Sequence, residues 1–230
     1  GRIAVTGFRV GELLEQPNLG SVSCEAGLNG VVGKGLIDAR VDGSVSQLEF
    51  NGYDYDSLRF GGRLTEKTFN GHVRADDPAL RFDFQGEVGF NPERPHYDFD
   101  LDLIHADLAR MHLNRRDSVS VLSALVEARA SGRTLDDLNG KVTVGDVVYR
   151  YNADTLRTTR LTLDGQNSAG SKYLSLQSEF ADATFRSRTD YKTVFEYLGS
   201  SLEKSIPLPY AEGKARKRAA GAVSVVDVYS

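Results

Sequence analysis

Leu80-Arg81-Phe82-Asp83-Phe84-Gln85-Gly86-Glu87-Val88-Gly89-Phe90 alternates apolar and polar side chains with a period of two. That period is the signature of a β-strand with one apolar and one wet face. Leu80, Phe82, Phe84, Val88 and Phe90 fall on one side; Arg81, Asp83, Gln85 and Glu87 fall on the other. The pattern continues on both flanks. Upstream, Leu58, Phe60 and Leu64 oppose Arg59 and Arg63, and Phe69, Val73 and Ala75 repeat it. Downstream, Tyr97, Phe99, Leu101 and Leu103 oppose Asp98, Asp100 and Asp102. Strands of this kind build an antiparallel sheet covered on a single side.

Breakers separate the strands: Asp76-Asp77-Pro78 and Asn91-Pro92-Glu93-Arg94-Pro95. Glycines fall inside or at the ends of strands, at Gly52, Gly62, Gly71, Gly86 and Gly140, where a missing side chain permits a bend or a bulge. Three follow an aromatic and a polar residue, as in Phe50-Asn51-Gly52, Phe69-Asn70-Gly71 and Phe84-Gln85-Gly86. Such recurrence predicts a sheet curved by repeated strand units. Helical signal is sparse, with short pieces expected at Phe8–Leu14, Ala106–Met111 and Thr134–Leu138. A longer one is expected at Tyr191–Leu198, with Asp190 as its N-cap and Gly199 as its stop. The fold class is all-β. The apolar faces can be hidden in a barrel, in a sandwich or in a half-open trough, and alternation alone does not choose between them.

Composition excludes several function classes. The 230 residues are 40% hydrophobic and 26% charged, with mean hydropathy -0.35. A net charge of -4 argues against a nucleic-acid partner. The one basic run, Lys214, Arg216, Lys217 and Arg218, reads as a solvated linker, with lipid headgroups as the sharper alternative. No apolar run reaches the roughly 18 residues of a spanning helix. The chain opens Gly1-Arg2-Ile3-Ala4-Val5, which reads as an internal piece whose signal or anchor would lie elsewhere. Cys24 is the single cysteine; it forbids an internal disulfide and reads as a buried small hydrophobe.

Catalytic chemistry finds no constellation. Asp98, Asp100 and Asp102 alternate with an apolar row and read as a solvated face, not as a glycosidase pair or a calcium site. His105 and His112 lack metal-ligand spacing, Gly30, Gly33 and Gly35 lack a phosphate-loop context, and Ser118 and Ser120 lack a nucleophile elbow. No metal, no cofactor and no enzymatic activity are therefore expected.

Phe50-Asn51-Gly52-Tyr53-Asp54-Tyr55, Phe69-Asn70-Gly71-His72-Val73 and Asp76-Asp77-Pro78-Ala79-Leu80 resemble the TamB family (translocation and assembly module, AsmA-like) as it occurs in Bacteroidota. Tyr97-Asp98-Phe99-Asp100-Leu101, Leu113-Asn114-Arg115-Arg116-Asp117-Ser118-Val119-Ser120-Val121 and Asp137-Leu138-Asn139-Gly140 continue in the same order, so the resemblance spans about residues 1–200. It implies a long periplasmic protein of a Gram-negative envelope, anchored in the inner membrane, with an elongated sheet folded into a taco-like hydrophobic groove. It further implies phospholipid movement between the two membranes or assembly of outer-membrane proteins. An outer-membrane barrel partner would be engaged by parts outside this segment. On this expectation residues 1–205 form the groove segment and 206–230 a tail or linker. The candidate lining is Phe82, Phe84, Val88, Phe99, Leu101 and Leu103, and the cargo is lipid acyl chains or hydrophobic polypeptide segments. Packing of the same six residues into an ordinary core remains the competing expectation, with a structural or adhesive surface domain as the competing function. Uncovered end strands would favour an edge-to-edge homodimer.

Overall fold

A computed structural model describes residues 1–9, 11–12, 16–33, 36–168, 170–179, 182–188 and 226–229. These residues form one antiparallel sheet. Its strands are β1 (Arg2–Arg9), β2 (Leu19–Gly33), β3 (Leu36–Phe50), β4 (Tyr53–Tyr55), β5 (Leu58–Thr65), β6 (Thr68–Asp76) and β7 (Leu80–Gly89). There follow β8 (His96–Asp107), β9 (Ser120–Ser131), β10 (Asn139–Tyr151), β11 (Asp154–Ser168), β12 (Ser171–Ser178), β13 (Asp182–Ser187) and β14 (Val226–Tyr229). Spatial order follows chain order, except that β4 folds back on β3 beside β5. The sheet is open: β1 and β14 lie at its two ends, so neither a barrel nor a two-sheet sandwich forms among the described residues. The tail region contributes β14, which pairs with β13 from Phe185↔Val226 to Asp182↔Tyr229.

The register aligns the alternation into rows that cross the sheet. One row runs Leu28–Val41–Gly62–Gly71–Gly86–Phe99 and continues Ala128–Val142–Leu163–Leu176–Ala183. Ten inter-strand steps at about 4.8 Å make this row roughly 48 Å long. A parallel row runs Ile3–Ala26–Gly43–Phe60–Val73–Phe84–Leu101–Val126–Val144–Leu161. Between them, on the opposite face, lie Asp42, Gly61, His72, Gln85, Asp100 and Glu127. One face is thus continuously apolar across the strands and the other is charged.

Bends have local causes. The ladder slips between Val5 and Phe8, between Arg81 and Phe82, between Leu103 and Ala106, and between Gly145 and Val148, each slip adding twist and curvature. Three glycines stand side by side at Gly62↔Gly71↔Gly86. Gly86 has φ +143, and a Cβ there would lie 2.4 Å from Phe99 Cα. Cβ atoms at Gly62 and Gly71 would each come 2.7 Å from the other's Cα. Only glycine allows the backbones to crease this closely.

The helical expectations meet different outcomes. Thr134–Leu138 is borne out as a 3-10 turn, Leu135–Asp137, closed by a capping box between Thr134 and Asp137. Phe8–Leu14 is corrected: Phe8 and Arg9 finish β1, and of the rest described only residues 11 and 12 are helical. Ala106–Met111 is also corrected. Ala106 and Asp107 finish β8, and Leu108 N donates to Ser120 O, prolonging the ladder to β9 before the chain turns. The Asp107 carboxylate then accepts from Arg110 N and its carbonyl from Met111 N, both at 3.0 Å, so the expected piece is reduced to a single closed turn over 107–111 that does not continue as a helix. Tyr191–Leu198, its flanking Asp190 and Gly199, and the basic run at 214–218 lie outside the described residues. Phe90, read as part of the β7 strand, falls just beyond its end and is exposed.

Candidate functional site

Phe82, Phe84 and Val88 on β7 share the apolar face with Phe99, Leu101 and Leu103 on β8. Phe84 pairs with Leu101 and Phe82 with Leu103, while Phe99 faces Gly86 one row away. Phe84 and Phe99 rings meet at 5.1 Å, tilted by 41°, an aromatic contact that drapes a side chain across the glycine gap. Val88 lies between Phe69 and Tyr97 in the next row. The fold therefore brings all six together on one surface.

None of the six is fully buried; each is half-buried at the centre of a wide sheet. In a sandwich, residues at such central positions sit against a second sheet about 10 Å away. Here Phe60, Leu64, Phe69 and Val73 on β5 and β6 are half-buried too. They extend the same apolar surface toward β3. So do Val126, Val142, Val144, Leu161 and Leu163 on β9 to β11, which were not among the expected lining residues. The alternation of Val142 and Val144 with Lys141 and Thr143 carried that signal.

Among the described residues the face is covered at two places, both by loops attached to β9. At the N-terminal end of β9, the β8–β9 connection brings Met111 over Tyr55, Ala79 and Ala106, with Leu58, Leu80, Leu103 and Leu122 packed around them. Leu103, alone of the six, borders this filled cluster. A polar knot fixes that loop. Asn114 Nδ2 donates to Asp117 at 2.9 Å and to Ser120 Oγ at 3.0 Å, and the buried Ser120 hydroxyl lies 2.9 Å from the Tyr149 hydroxyl. At the C-terminal end of β9, Leu138 folds onto Leu174 beside Ala130, Leu163 and Phe185. Its backbone is held by Asn167 Nδ2, which donates to Leu138 O at 2.6 Å, and Lys172 pairs with Asp136 at 2.7 Å. Between these two caps the apolar surface of β5 to β9 stays uncovered by the described residues.

The opposite face is wet. Asp98, Asp100 and Asp102 are exposed, and Arg129 bridges Asp98 at 2.8 Å and Asp100 at 2.9 Å. Asp38 binds Arg63 at 2.7 Å, which holds its carboxyl below the ordinary value. Glu87 accepts from Asn70 and lies 2.7 Å from His96, and both contacts lower its pKa. Exposed pairs of this kind add little stability; their alternation with the apolar rows fixes which way each strand faces. His112 contacts Asn51 O through Nδ1 at 3.0 Å and closes a loop. Among the described residues no group of three His, Cys, Asp or Glu side chains could hold a metal ion, and no helix is long and apolar enough to cross a membrane. Cys24 is half-buried rather than buried, because it lies on the apolar face between Val5 and Val45 near the end of the sheet.

No family model, curated protein or solved structure matches the chain.

Proposed function

We propose that this chain is a non-catalytic conduit segment, TamB-like, whose apolar face carries lipid acyl chains across a Gram-negative periplasm. One observation supports the reading most: an apolar surface crossing the whole sheet that stays half-exposed at its centre, backed by a charged face. A contiguous apolar surface of this extent is disfavoured in water unless something occupies it. An acyl chain lying along the rows gains about 0.8 kcal/mol for each CH₂ removed from water. That gain is non-directional, so a chain can shift along the row without a fixed docking point. The open ends of the sheet suit a segment of a longer protein anchored in the inner membrane, serving phospholipid transport between inner and outer membranes or the assembly of outer-membrane proteins. The barrel partner would be reached through other parts of that protein, and a β1 edge unpaired among the described residues makes edge-to-edge homodimers an additional expectation.

The test is photo-crosslinking of a phospholipid carrying a diazirine in its acyl chain, together with native mass spectrometry of the purified chain. Wild type should crosslink and carry lipid. Phe84→Asp, which puts a charge on the apolar row, should lower crosslinking by at least about tenfold. Arg59→Asp on the charged face should leave it unchanged. A wild-type chain free of lipid in both measurements would overturn the conduit.

A further inference from the structure

β1 is an end strand of the sheet among the described residues. Between Arg2 and Arg9 it reads Ile3-Ala4-Val5-Thr6-Gly7-Phe8, with no charge and no proline to keep another strand away. Every residue of it except Val5 is exposed, Ile3 at 49% and Phe8 at 47%. The ladder to β2 tells which backbone groups are free. Leu28 N donates to Gly1 O and Gly1 N donates to Leu28 O, so these two residues exchange both bonds. Bonded and non-bonded positions alternate along an antiparallel pair. Ile3 and Val5 therefore bond to Ala26 and Cys24, while Arg2, Ala4 and Thr6 turn their N–H and C=O outward. The run stops there. The register slips between Val5 and Phe8, Gly7 has φ +60, and Gly7 N donates inward to Ser23 Oγ at 2.9 Å. Such a bulge ends a straight edge, which leaves residues 2–6, centred on Ala4.

An edge centred on one residue is complementary to itself. About a two-fold axis at Ala4, the Ala4 residues of two copies face each other and Arg2 of each copy faces Thr6 of the other. Each such pair can exchange two backbone bonds, and no other antiparallel register engages all three residues. Charge agrees with this register. Arg2 meets a hydroxyl, and the two arginines stand roughly 14 Å apart along the strands, beyond the screening length at physiological salt. Ile3 lands beside Val5 of the second copy on the apolar face. The row that Ile3 heads then runs on into the second copy's Val5–Cys24–Val45–Leu58 row. Pairing of β1 with β14 of another copy would not close and would leave a free β1 edge on the next copy.

We propose that two copies of this chain join β1 to β1 in this register, a two-fold dimer in which the two apolar faces become one surface. The inference rests on the open β1 edge of the proposed conduit segment and gives it one partner and one register; it does not depend on what the conduit carries.

The test is sedimentation velocity of the full 230-residue chain from about 1 to about 100 µM, the range in which a contact as small as one strand pair dissociates. Wild type should pass from monomer to dimer and stop there. Ala4→Pro removes an outward N–H that β2 does not use, so thermal melts should show a folded chain while dimer affinity falls by at least about tenfold. Thr6→Glu sets a carboxylate opposite Arg2 of the second copy and should tighten the dimer about threefold, and Thr6→Lys should weaken it by a similar factor. A wild type that stays monomeric, or a dimer indifferent to Ala4→Pro, overturns the proposal. So does Thr6→Glu associating no more tightly than Thr6→Lys, because only this register opposes residue 6 to Arg2. Growth beyond the dimer means that β1 meets a different edge, and it overturns the two-fold pairing. The diazirine-lipid crosslink read on the same samples separates this proposal from the conduit. A monomer that still crosslinks overturns the dimer alone, and a dimer that takes no lipid supports the dimer and overturns the conduit.

Discussion

The Tyr53 hydroxyl donates a 2.9 Å hydrogen bond to the carboxylate of Asp77, a side chain only 1% exposed. Asp77 belongs to the tight β6–β7 turn, and Tyr53 to the short strand β4 that folds back on β3. The same carboxylate accepts from Asp56 N at 3.0 Å and from Ala79 N at 2.7 Å. One side chain thereby ties a turn to the β4–β5 corner and seats Ala79 under Met111 in the better-filled of the two caps.

Asp77→Ala leaves a phenol and two backbone N–H groups without an acceptor in a buried place. It should destabilise the chain by about 2–4 kcal/mol. Asp77→Asn keeps one acceptor oxygen and should lose less. Urea unfolding followed by circular dichroism measures both; equal stability of Asp77→Ala and wild type would mean the corner is held by packing alone.

Burial, reinforced by the hydrogen bond to Asp77, pushes the Tyr53 hydroxyl up to about 12. A raised folded pKa means that the unfolded chain releases this proton first, so stability falls with rising pH. The contribution is complete below about pH 10, the ordinary tyrosine value, and is lost as pH rises toward 12. Burial beside Asp77 also raises the Tyr55 hydroxyl, so ultraviolet titration should show late phenolate ionisation from both tyrosines, of which Tyr53→Phe removes the Tyr53 part. The variant's melting temperature should also fall less steeply than that of wild type over this window.

Gly86→Ala and Gly145→Ala should behave differently although both glycines lie in strands. A Cβ at Gly86 meets the Phe99 backbone and requires φ +143, whereas at Gly145 the nearest atom is 3.5 Å away. The first substitution should destabilise by about 2 kcal/mol or more through strain at the crease. The second should fall within about 0.5 kcal/mol of wild type. Chemical denaturation of the two variants side by side decides it.

Cys24 offers a label without any added thiol, since it is the sole cysteine and lies on the apolar face. A polarity-sensitive dye coupled there should shift to shorter wavelength, saturably, as an acyl-chain ligand is added. No shift, in a protein that binds lipid by mass spectrometry, would confine occupancy to the strands beyond β3.

The two faces were legible in the sequence because side-chain direction in a strand depends only on parity. Phe82, Phe84 and Leu101 could therefore be assigned to one side, and Asp98, Asp100 and Asp102 to the other, without knowing which strands met. The turn at Thr134–Leu138 was legible for a similar reason, since a capping box is closed within four residues. Ala106–Met111 misled because its local pattern could not show that Leu108 N would find Ser120 O across a loop. Cys24 misled because a small apolar residue is buried only where something covers it.

Sequence by itself thus determined the β class, the segregation of apolar from charged residues and the positions of the breakers, all properties of neighbours along the chain. Tertiary structure alone decided that Gly62, Gly71 and Gly86 stand side by side, that the apolar rows align from β1 to β13, and that two loops of β9 cover only parts of the face. Cross-strand register depends on where each ladder slips, and coverage depends on where a loop lands. Both are set by contacts between residues far apart in the chain, which no local pattern contains.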